Sequence, residues 1–283
     1  MIKRTLAAAA AWLALGAMQA APLPPPARPL APLSLWRLDC GNFIIKDFNA
    51  FFSDTMAYRP GPKDIASSCY LIRHGTRYML WDTGVEAAIA ARPVDSAAAK
   101  ISLRRTLVAQ LAEINVRPDQ IATIGISHYH SDHIGQAASF PGARLLIGDG
   151  DWAALKANAG GRARPELVAP WLSGGGKATQ VSGDLDIFGD GQVIMLDTPG
   201  HTPGHHSLLV RLASGPVILS GDLWHFTEQV PIDGVPPFNT DRADTLASMD
   251  RITRMARNIG AKIVIQHEPG DIAKLPPFPD AAK

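Results

Sequence analysis

The chain has 283 residues, of which 46% are hydrophobic and 19% charged, and its formal net charge is +1. This length and apolar content predict one large domain with a sizeable core. Because the charge is near zero and Lys and Arg do not cluster with aromatic residues, we expect neither nucleic acid nor an acidic membrane surface as a partner.

The N-terminal residues have the pattern of a secretory signal. Lys3 and Arg4 precede an apolar segment from Leu6 to Ala17, and small residues at positions 20 and 21 permit cleavage. The apolar segment is too short for a transmembrane span, and no Cys follows it for lipid attachment, so no stable membrane anchor is expected.

The chain divides into three parts on this basis. Residues 1–20 are predicted to be a signal peptide, residues 21–32 a Pro-rich spacer, and residues 33–283 the folded domain. In a Gram-negative cell the exported domain would lie in the oxidising periplasm. Cys40 and Cys69 could form a disulfide there, although a buried free thiol is favoured for Cys69 because it begins an apolar run.

Apolar runs bounded by turn residues predict the strands of the first half at 35–37, 43–45, 69–73, 78–81 and 122–126. Residues Ile101 to Ile114 have near-helical apolar spacing and predict a helix that Pro118 stops. A strand at Leu145 to Ile147 and a helix at Asp149 to Ala159 follow. His74 precedes Gly75 in a predicted hairpin turn, where we expect it to be solvated.

An aromatic segment interrupts these elements and has few helix or strand signals; it contains Phe48, Phe51, Phe52, Met56 and Tyr58. Near a functional site it could form an apolar wall for an acyl chain or a leaving group. Alternatively, it caps the core.

The second half has predicted strands at 184–188, 193–196, 207–212 and 217–220, and an apolar run at 261–265. A helix is predicted from Thr240 to Asn258, with apolar residues on one face and a Thr or Asp as N-cap. Strands that alternate with helices in this way predict an α/β protein.

The run His128, Tyr129, His130, Ser131, Asp132 and His133 directly follows a predicted strand. A turn at a strand end can aim His128 and His130 one way and Asp132 and His133 the other, as a two-metal site requires. The alternative is a polar loop that happens to be rich in histidine.

Further potential ligands follow later strands in order, and this favours the metal site. His201 lies in a Gly- and Pro-rich loop, Asp222 in Ser-Gly-Asp, and His267 after the apolar run at 261–265. Imidazole and carboxylate ligands without thiolate suit Zn²⁺, and also iron, manganese or cobalt.

Together, the H-x-H-x-D-H run, the T-P-G-H-T-P-G-H loop, the later Asp and the last His resemble the metallo-β-lactamase superfamily from about Leu35 to Ile272. The resemblance implies a four-layered αβ/βα sandwich and two divalent metal ions. It also implies these ligands: His128, His130 and His201 for one ion, Asp132, His133 and His267 for the other, and Asp222 as the bridge.

The Asp that the resemblance assigns as the bridge limits the resemblance to one branch of the superfamily. It implies a branch that includes glyoxalase II, N-acyl-homoserine lactonases and methyl-parathion-hydrolase-like enzymes, since true β-lactamases lack a carboxylate bridge here. The segment from Ser67 to Gly84 looks most like the lactonases. One position departs from them, because His225 stands where they carry a Tyr three residues after the bridging Asp; the parathion-hydrolase-like branch is more similar there.

The resemblance therefore predicts a hydrolase whose small-molecule substrate has an electrophilic carbonyl or phosphoryl centre. An N-acyl-homoserine lactonase-like, quorum-quenching activity is the first hypothesis; a β-lactamase, phosphotriesterase or thioester hydrolase is the alternative, and a non-catalytic metal-binding protein is a third. Asp132 is expected to relay a proton, while His225 either donates a proton or hydrogen bond to the substrate or braces its loop. No oligomeric state is predicted.

Three more polar residues lie near these motifs. Asp82, in Trp-Asp-Thr-Gly, is expected to orient a ligand His and, failing that, to be a turn residue. His205 and His206 are expected to make structural hydrogen bonds and not to be ligands.

Overall fold

Two β-sheets packed face to face form the centre of the protein. The structure is a computed structural model that describes residues 30–158, 160 and 162–283, and Ala31–Lys283 form one compact unit. The predicted signal peptide and most of the predicted spacer lie outside the described residues. In the described part of the chain, no helix is long and apolar enough to cross a membrane.

The first sheet contains eight strands of the described chain, in the order β4-β5-β1-β2-β3-β6-β7-β8. The pairs β4–β5, β5–β1, β1–β2 and β2–β3 are antiparallel. The pairs β3–β6, β6–β7 and β7–β8 are parallel. The strands are β1 Leu33–Ile45, β2 Lys63–His74, β3 Arg77–Trp81, β4 Val94–Asp95, β5 Ala99–Ser102, β6 Ile121–Gly125, β7 Arg144–Gly148 and β8 Ala178–Val181.

The second sheet contains five strands of the described chain, in the order β13-β12-β11-β10-β9. Its pairs are antiparallel except β12 and β13, which run parallel. The strands are β9 Leu185–Asp186, β10 Val193–Asp197, β11 His206–Leu212, β12 Gly215–Leu219 and β13 Lys262–Val264.

The helices are α1 Phe48–Phe52, α2 Leu107–Glu113, α3 Ser131–Ile134, α4 Asp149–Lys156, α5 Ala169–Leu172, α6 Arg242–Ile259 and α7 Pro269–Ile272. Helices α2, α4 and α5 pack on the outer face of the first sheet and α6 on that of the second, while the short helices α1, α3 and α7 lie in connecting segments. The predicted long helix is confirmed as α6. Its N-cap is Asp241, whose side chain accepts a hydrogen bond from Asp244 N, and it ends at Gly260, whose φ of +66° suits glycine.

The core lies in three layers because the central strands bury side chains on both faces. In β2, Cys69 and Leu71 pack toward α2 and α4, while Tyr70 and Ile72 pack between the sheets. The outer face of the second sheet packs on Met249, Ile252 and Ala256 of α6. The helix–sheet–sheet–helix order is the predicted αβ/βα sandwich.

Near one edge of the first sheet, the predicted break between two strands and the predicted start of one helix were wrong. The runs at 35–37 and 43–45 belong to one strand, β1, which continues through a bulge between Asp39 and Gly41. The predicted helix at 101–114 begins only at Leu107, because residues 99–102 form β5 and pair with Asn42–Ile45. Thr106 caps α2 by accepting a hydrogen bond from Ala109 N, so the helix begins where its first N–H groups are satisfied.

Two expectations for single residues were also wrong. Cys40 and Cys69 form a disulfide with Cα atoms 5.7 Å apart, because β1 and β2 are neighbouring strands and the bulge brings these positions together. His74 is buried, not solvated: it ends β2, stacks on Phe188 with ring centroids 4.1 Å apart, and its Nε2 lies 2.7 Å from an oxygen of Asp190.

Candidate metal centre

All the predicted ligands lie in segments that directly follow strands, and these segments meet at one end of the sandwich. His128 to His133 follow β6, His201 follows β10, Asp222 follows β12, and His267 follows β13. These four strands end near the same edge of the two packed sheets, so residues far apart in sequence come together. The described side chains form two groups that could each hold a metal ion.

The first group consists of three buried imidazoles whose ring nitrogens converge. His128 Nε2 lies 2.8 Å from His130 Nδ1, and His201 Nε2 lies 3.2 Å from His128 Nε2 and 3.0 Å from His130 Nδ1. Ligand atoms around a tetrahedral zinc lie about 3.3 Å apart, given zinc–nitrogen bonds of about 2.0 Å. The spacing therefore fits one metal ion.

The second group combines a carboxylate with two imidazoles. Asp132 Oδ2 lies 3.7 Å from both His133 Nε2 and His267 Nε2. The two histidines are buried, but 23% of the Asp132 side chain is exposed. The second group is thus partly open, whereas the first is closed.

Asp222 lies between the groups and directs one oxygen toward each. Its Oδ2 lies 3.7 Å from His128 Nε2 and 3.4 Å from His201 Nε2. Its Oδ1 lies 3.3 Å from His133 Nε2 and 3.0 Å from His267 Nε2. This is the geometry expected of a carboxylate that bridges two ions.

The electrostatic surroundings favour a cation at the first group. Burial holds the pKa of His128, His130 and His201 well below the usual range, so these rings are neutral and each keeps a lone pair. Burial alone would raise the pKa of Asp222, but His267 and the other surrounding imidazoles hold it well below its usual range. Neutral lone pairs that converge beside a carboxylate repel one another unless a cation lies between them.

Two unsatisfied atoms support this fit. Among the described residues, His133 Nε2 and Asp222 Oδ1 are buried and have no hydrogen-bond partner. Unpaired buried polar atoms cost about 1–3 kcal/mol each, so such atoms require an explanation. A metal ion at the second group would satisfy both, and the residues present therefore fit two divalent ions.

Asp82 holds the second group in place, as expected. Its Oδ2 lies 3.0 Å from His133 Nδ1 and accepts hydrogen bonds from Gln266 Nε2 and Ser127 Oγ at 2.7 and 2.8 Å. Its φ of +58° is uncommon for a residue other than glycine. The carboxylate fixes the His133 ring with Nε2 toward the centre.

Sequence reasoning missed other partners that orient the ligands. Asn239 Oδ1 lies 2.9 Å from His201 Nδ1, and Ala66 O lies 2.6 Å from His267 Nδ1. Gln266 was also missed, although it directly precedes a ligand. An amide or a main-chain carbonyl carries no motif, so only the folded chain identifies these partners.

His205 and His206 are outside both groups, as expected. His205 Nε2 accepts a hydrogen bond from Asp222 N at 3.0 Å, while its Nδ1 lies 3.0 Å from Thr198 O. His206 Nδ1 lies 2.8 Å from Gly204 O. Burial lowers the pKa of His205 to about 4, which leaves its ring neutral and able to accept that hydrogen bond. His205 therefore fixes the backbone of the bridging Asp.

His225 lies beside both groups. Its Nε2 is 3.2 Å from Asp222 Oδ2, and its ring is nearly parallel to that of His267 at a centroid distance of 5.6 Å. Phe52 packs against the ring at 4.7 Å and Phe238 at 5.8 Å. His225 is therefore buried and packed against aromatic residues beside both candidate ligand groups.

A cavity of about 420 Å³ opens onto the two groups. Its floor includes Asp132, Asp222 and His225, and its walls are mainly apolar; they include Phe43, Ile45, Phe51, Phe52, Ile65, Val85, Ile89, Ile101 and Phe238. The aromatic segment is divided between its two predicted roles. Phe51 and Phe52 line the cavity, Phe48 and Tyr58 stack at 4.9 Å against the core, and Met56 is 83% exposed.

Comparison with protein families supports the same interpretation. The family model described as the metallo-β-lactamase superfamily matches residues 62–267. N-acyl homoserine lactonase AttM of Azorhizobium caulinodans is 33% identical over 175 residues, which are 57% of this chain and 64% of the relative. The aligned part is thus slightly less than two thirds of that relative.

Solved structures share the fold at lower identity. An N-acyl homoserine lactone hydrolase with the product N-hexanoyl-L-homoserine at its catalytic metal centre has a TM-score of 0.74 and 21% identity, over 89% of this chain and 99% of that one. The dizinc quorum-quenching lactonase AidC has a TM-score of 0.63 and 19% identity, over 90% and 91% of the two chains. These likenesses show the sandwich fold.

Proposed function

The chain belongs to the metallo-β-lactamase superfamily, and from that premise we propose that it is a metal-dependent hydrolase that opens N-acyl homoserine lactones, a quorum-quenching activity. The observation that carries the proposal is the position of Asp222, which directs one oxygen to each ligand group at the floor of a largely apolar cavity. The similarity to lactonases in the aligned part of the chain supports this substrate class.

Two divalent ions are the proposed cofactors, with zinc as the first choice and iron, manganese or cobalt as alternatives. His128, His130 and His201 would hold one ion, Asp132, His133 and His267 the other, and Asp222 would contact both. When bound, such ions supply Lewis acidity and a water nucleophile near neutral pH. The nitrogen- and oxygen-rich ligand set favours these metals over those that prefer thiolate.

Asp132 is the proposed proton carrier. Ring opening adds the oxygen of water to the carbonyl carbon, breaks the ring C–O bond and leaves a carboxylate and an alcohol. One proton of the water must reach the leaving oxygen, and the other is released because the product acid ionises. Asp132 is suited to hold the transferred proton, because its side chain is the partly exposed member of the ligand set and faces the cavity.

His225 is the proposed hydrogen-bond donor to the substrate carbonyl. The ring lines the cavity, and its Nε2 lies 3.2 Å from Asp222 Oδ2, so a carbonyl bound at the cavity floor would lie within reach of this ring. Phe52 and Phe238 pack against the ring and restrict its orientation, and a fixed donor stabilises the charge that develops on the carbonyl oxygen. This role is the one that the resemblance assigns to a Tyr in lactonases.

The apolar wall is the proposed binding surface for the acyl chain. Phe51, Phe52, Ile89 and Phe238 line the cavity beside the polar floor. Burial of each methylene contributes at most about 0.8 kcal/mol. An acyl chain would thus find apolar surface on the walls while its lactone ring lies on the floor.

A panel of substrates tests the proposed function directly. Ring opening of N-acyl homoserine lactones with graded acyl chains is measured beside hydrolysis of a β-lactam, a phosphotriester and a thioester. We expect the highest kcat/KM for a lactone and loss of activity after chelation, with recovery on addition of zinc. Faster turnover of any other class than of every lactone would reject the substrate assignment and leave only the hydrolase chemistry.

Export to the periplasm is also proposed. The charged and apolar pattern of residues 3–21 supports it, and so does the disulfide between Cys40 and Cys69, since such bonds persist in oxidising compartments. N-terminal sequencing of the protein recovered from a periplasmic fraction should find a start near Ala21. Cytoplasmic protein that retains Met1 would contradict export without affecting the proposed chemistry.

A further inference from the structure

Asp151 is a buried carboxylate outside both ligand groups. It lies in the first turn of α4 and is fully buried. Neither the ligand motifs nor the cavity includes it. A buried ionisable side chain so close to the metal centre requires a physical explanation.

Its two oxygens join the loops that carry the first ligand group. Oδ2 accepts hydrogen bonds from Tyr129 N and from Thr202 Oγ1, both at 2.9 Å, and Oδ1 accepts one from Gly204 N at 2.7 Å. Tyr129 lies between His128 and His130 in the sequence, and Thr202 directly follows His201. One carboxylate therefore connects the loop after β6 with the loop after β10.

The backbone around Asp151 is built for this contact. An added Cβ on Gly148 would lie 1.9 Å from Gly204 O, and one on Gly204 would lie 2.5 Å from Asp151 N. The absence of side chains at both positions lets the start of α4 lie directly against the loop of His201. The close approach places the Asp151 carboxylate between the two loops.

The carboxylate is costly to bury, and its three donors offset part of that cost. Burial raises the pKa of Asp151 to about 7, against the opposing effect of Gly204, Thr202 and Tyr129. An apolar side chain would avoid the desolvation of a charge, but it would leave the N–H groups of Tyr129 and Gly204 without this acceptor. The buried carboxylate therefore serves to satisfy the N–H groups of the two loops and does not serve merely to fill space.

We propose that Asp151 is a positioning residue for the first ligand group, which keeps His128, His130 and His201 in register by holding both of their loops. Asp82 supports the second group by contacting an imidazole ring. Asp151 supports the first group by accepting hydrogen bonds from the main chain and from Thr202. The inference rests on the proposed two-metal centre and does not depend on the substrate.

Metal affinity of Asp151→Asn tests this role. An amide supplies one acceptor oxygen in place of two and presents N–H to a donor, so the loops lose at least one hydrogen bond. Full-length protein loaded with zinc is titrated with a chromophoric chelator. We expect affinity at the first group to fall by about 10–100-fold, the range for residues that orient metal ligands. The second group should change little.

Two single-group variants test whether Asp151 supports the first group and not the second. His267→Ala leaves the first group intact and His201→Ala leaves the second, so Asp151→Asn should weaken zinc binding in the former background only. Asp149→Asn is the matched control, because Asp149 is an exposed carboxylate on the same helix that bonds only its neighbour Gly150 N among the described residues. The control should bind zinc like the parent.

Equal weakening in both backgrounds would show a general structural role and overturn the inference, as would unchanged affinity in both. If Asp151→Asn does not fold, Thr202→Val removes a single hydrogen bond to the carboxylate and should weaken the same group by a smaller factor. A parent protein that binds no zinc would instead reject the two-metal centre on which the proposed function depends.

Discussion

The two ligand groups differ in charge, exposure and support. The first consists of buried neutral imidazoles and is closed. The second includes Asp132, whose side chain is 23% exposed, and the carboxylates Asp222 and Asp132 raise the pKa of His133 and His267 above the usual range although burial opposes this. A closed neutral group suits tight retention of an ion, whereas an open group with a carboxylate suits exchange of protons with a substrate.

The supports of the two groups also differ. Asp82 contacts a ligand ring of the second group directly. Asp151 contacts only the chain beside the ligands of the first. Substitution of Asp82 would therefore affect the orientation of one ring directly. Substitution of Asp151 would affect the positions of two loops.

Removal of the shared carboxylate should have the largest effect, since it abolishes the difference between the groups. Asp222→Ala should weaken both metal ions and lower kcat/KM by more than about 100-fold, because residues that merely orient ligands already cost about 10–100-fold in affinity or activity. Elemental analysis and kinetics measure this, with the exposed Asp250→Ala on α6 as control. Two bound ions with near-normal turnover would refute the bridge.

Removal of one ligand from either group should show whether the two groups bind their ions independently. His201→Ala should lose the ion of the first group and His267→Ala that of the second, so each variant should retain about one equivalent of metal where the parent has two. Elemental analysis after dialysis against a weak chelator gives the stoichiometry. If either substitution releases both ions, the groups do not bind independently and the comparison fails.

His225 lies beside both groups and should affect catalysis without emptying either. If it donates a hydrogen bond to the substrate carbonyl in the transition state, His225→Ala should lower kcat on the order of 100-fold with a smaller change in KM. Metal content should stay at the parental value. A variant that loses metal, or one whose defect is confined to KM, would assign His225 to support of the centre and not to the reaction.

Asp82→Asn should weaken metal binding at the second group more than at the first. The amide cannot accept from His133, Gln266 and Ser127 as the carboxylate does, so affinity at the second group should fall by roughly tenfold or more. The first group should be less affected, because in the described part of the chain Asp82 reaches His128 through the Ser127 hydroxyl and not directly. Zinc titration in the two single-group backgrounds checks this, and a larger loss at the first group would reverse the assignment.

The smallest expected effect concerns the apolar wall beside the open group. Each methylene added to the acyl chain of a homoserine lactone should raise kcat/KM by at most about fourfold, which corresponds to about 0.8 kcal/mol, until the cavity is full. Phe51→Ala should reduce this increment for long chains and leave the shortest lactone unaffected. An equal loss for all chain lengths would place Phe51 outside the acyl site.

The residue types of the candidate centre and their order along the chain could be predicted from the sequence. Imidazoles and carboxylates after apolar runs can be recognised locally, because a buried strand followed by a polar turn has a distinct pattern. That is why the residues from His128 to His133, His201, Asp222 and His267 could be named, whereas the sandwich that brings them to one edge was implied by the resemblance to the superfamily.

The other residues that support the centre could be identified only from the folded chain. Asp151, Asn239 and Gln266 have no motif, since a partner that accepts one hydrogen bond is defined by its position in space and not by its neighbours in sequence. The same reason explains the errors. The pairing of Cys40 with Cys69 and the strand at 99–102 depend on contacts between distant segments, and local periodicity carries no information about them.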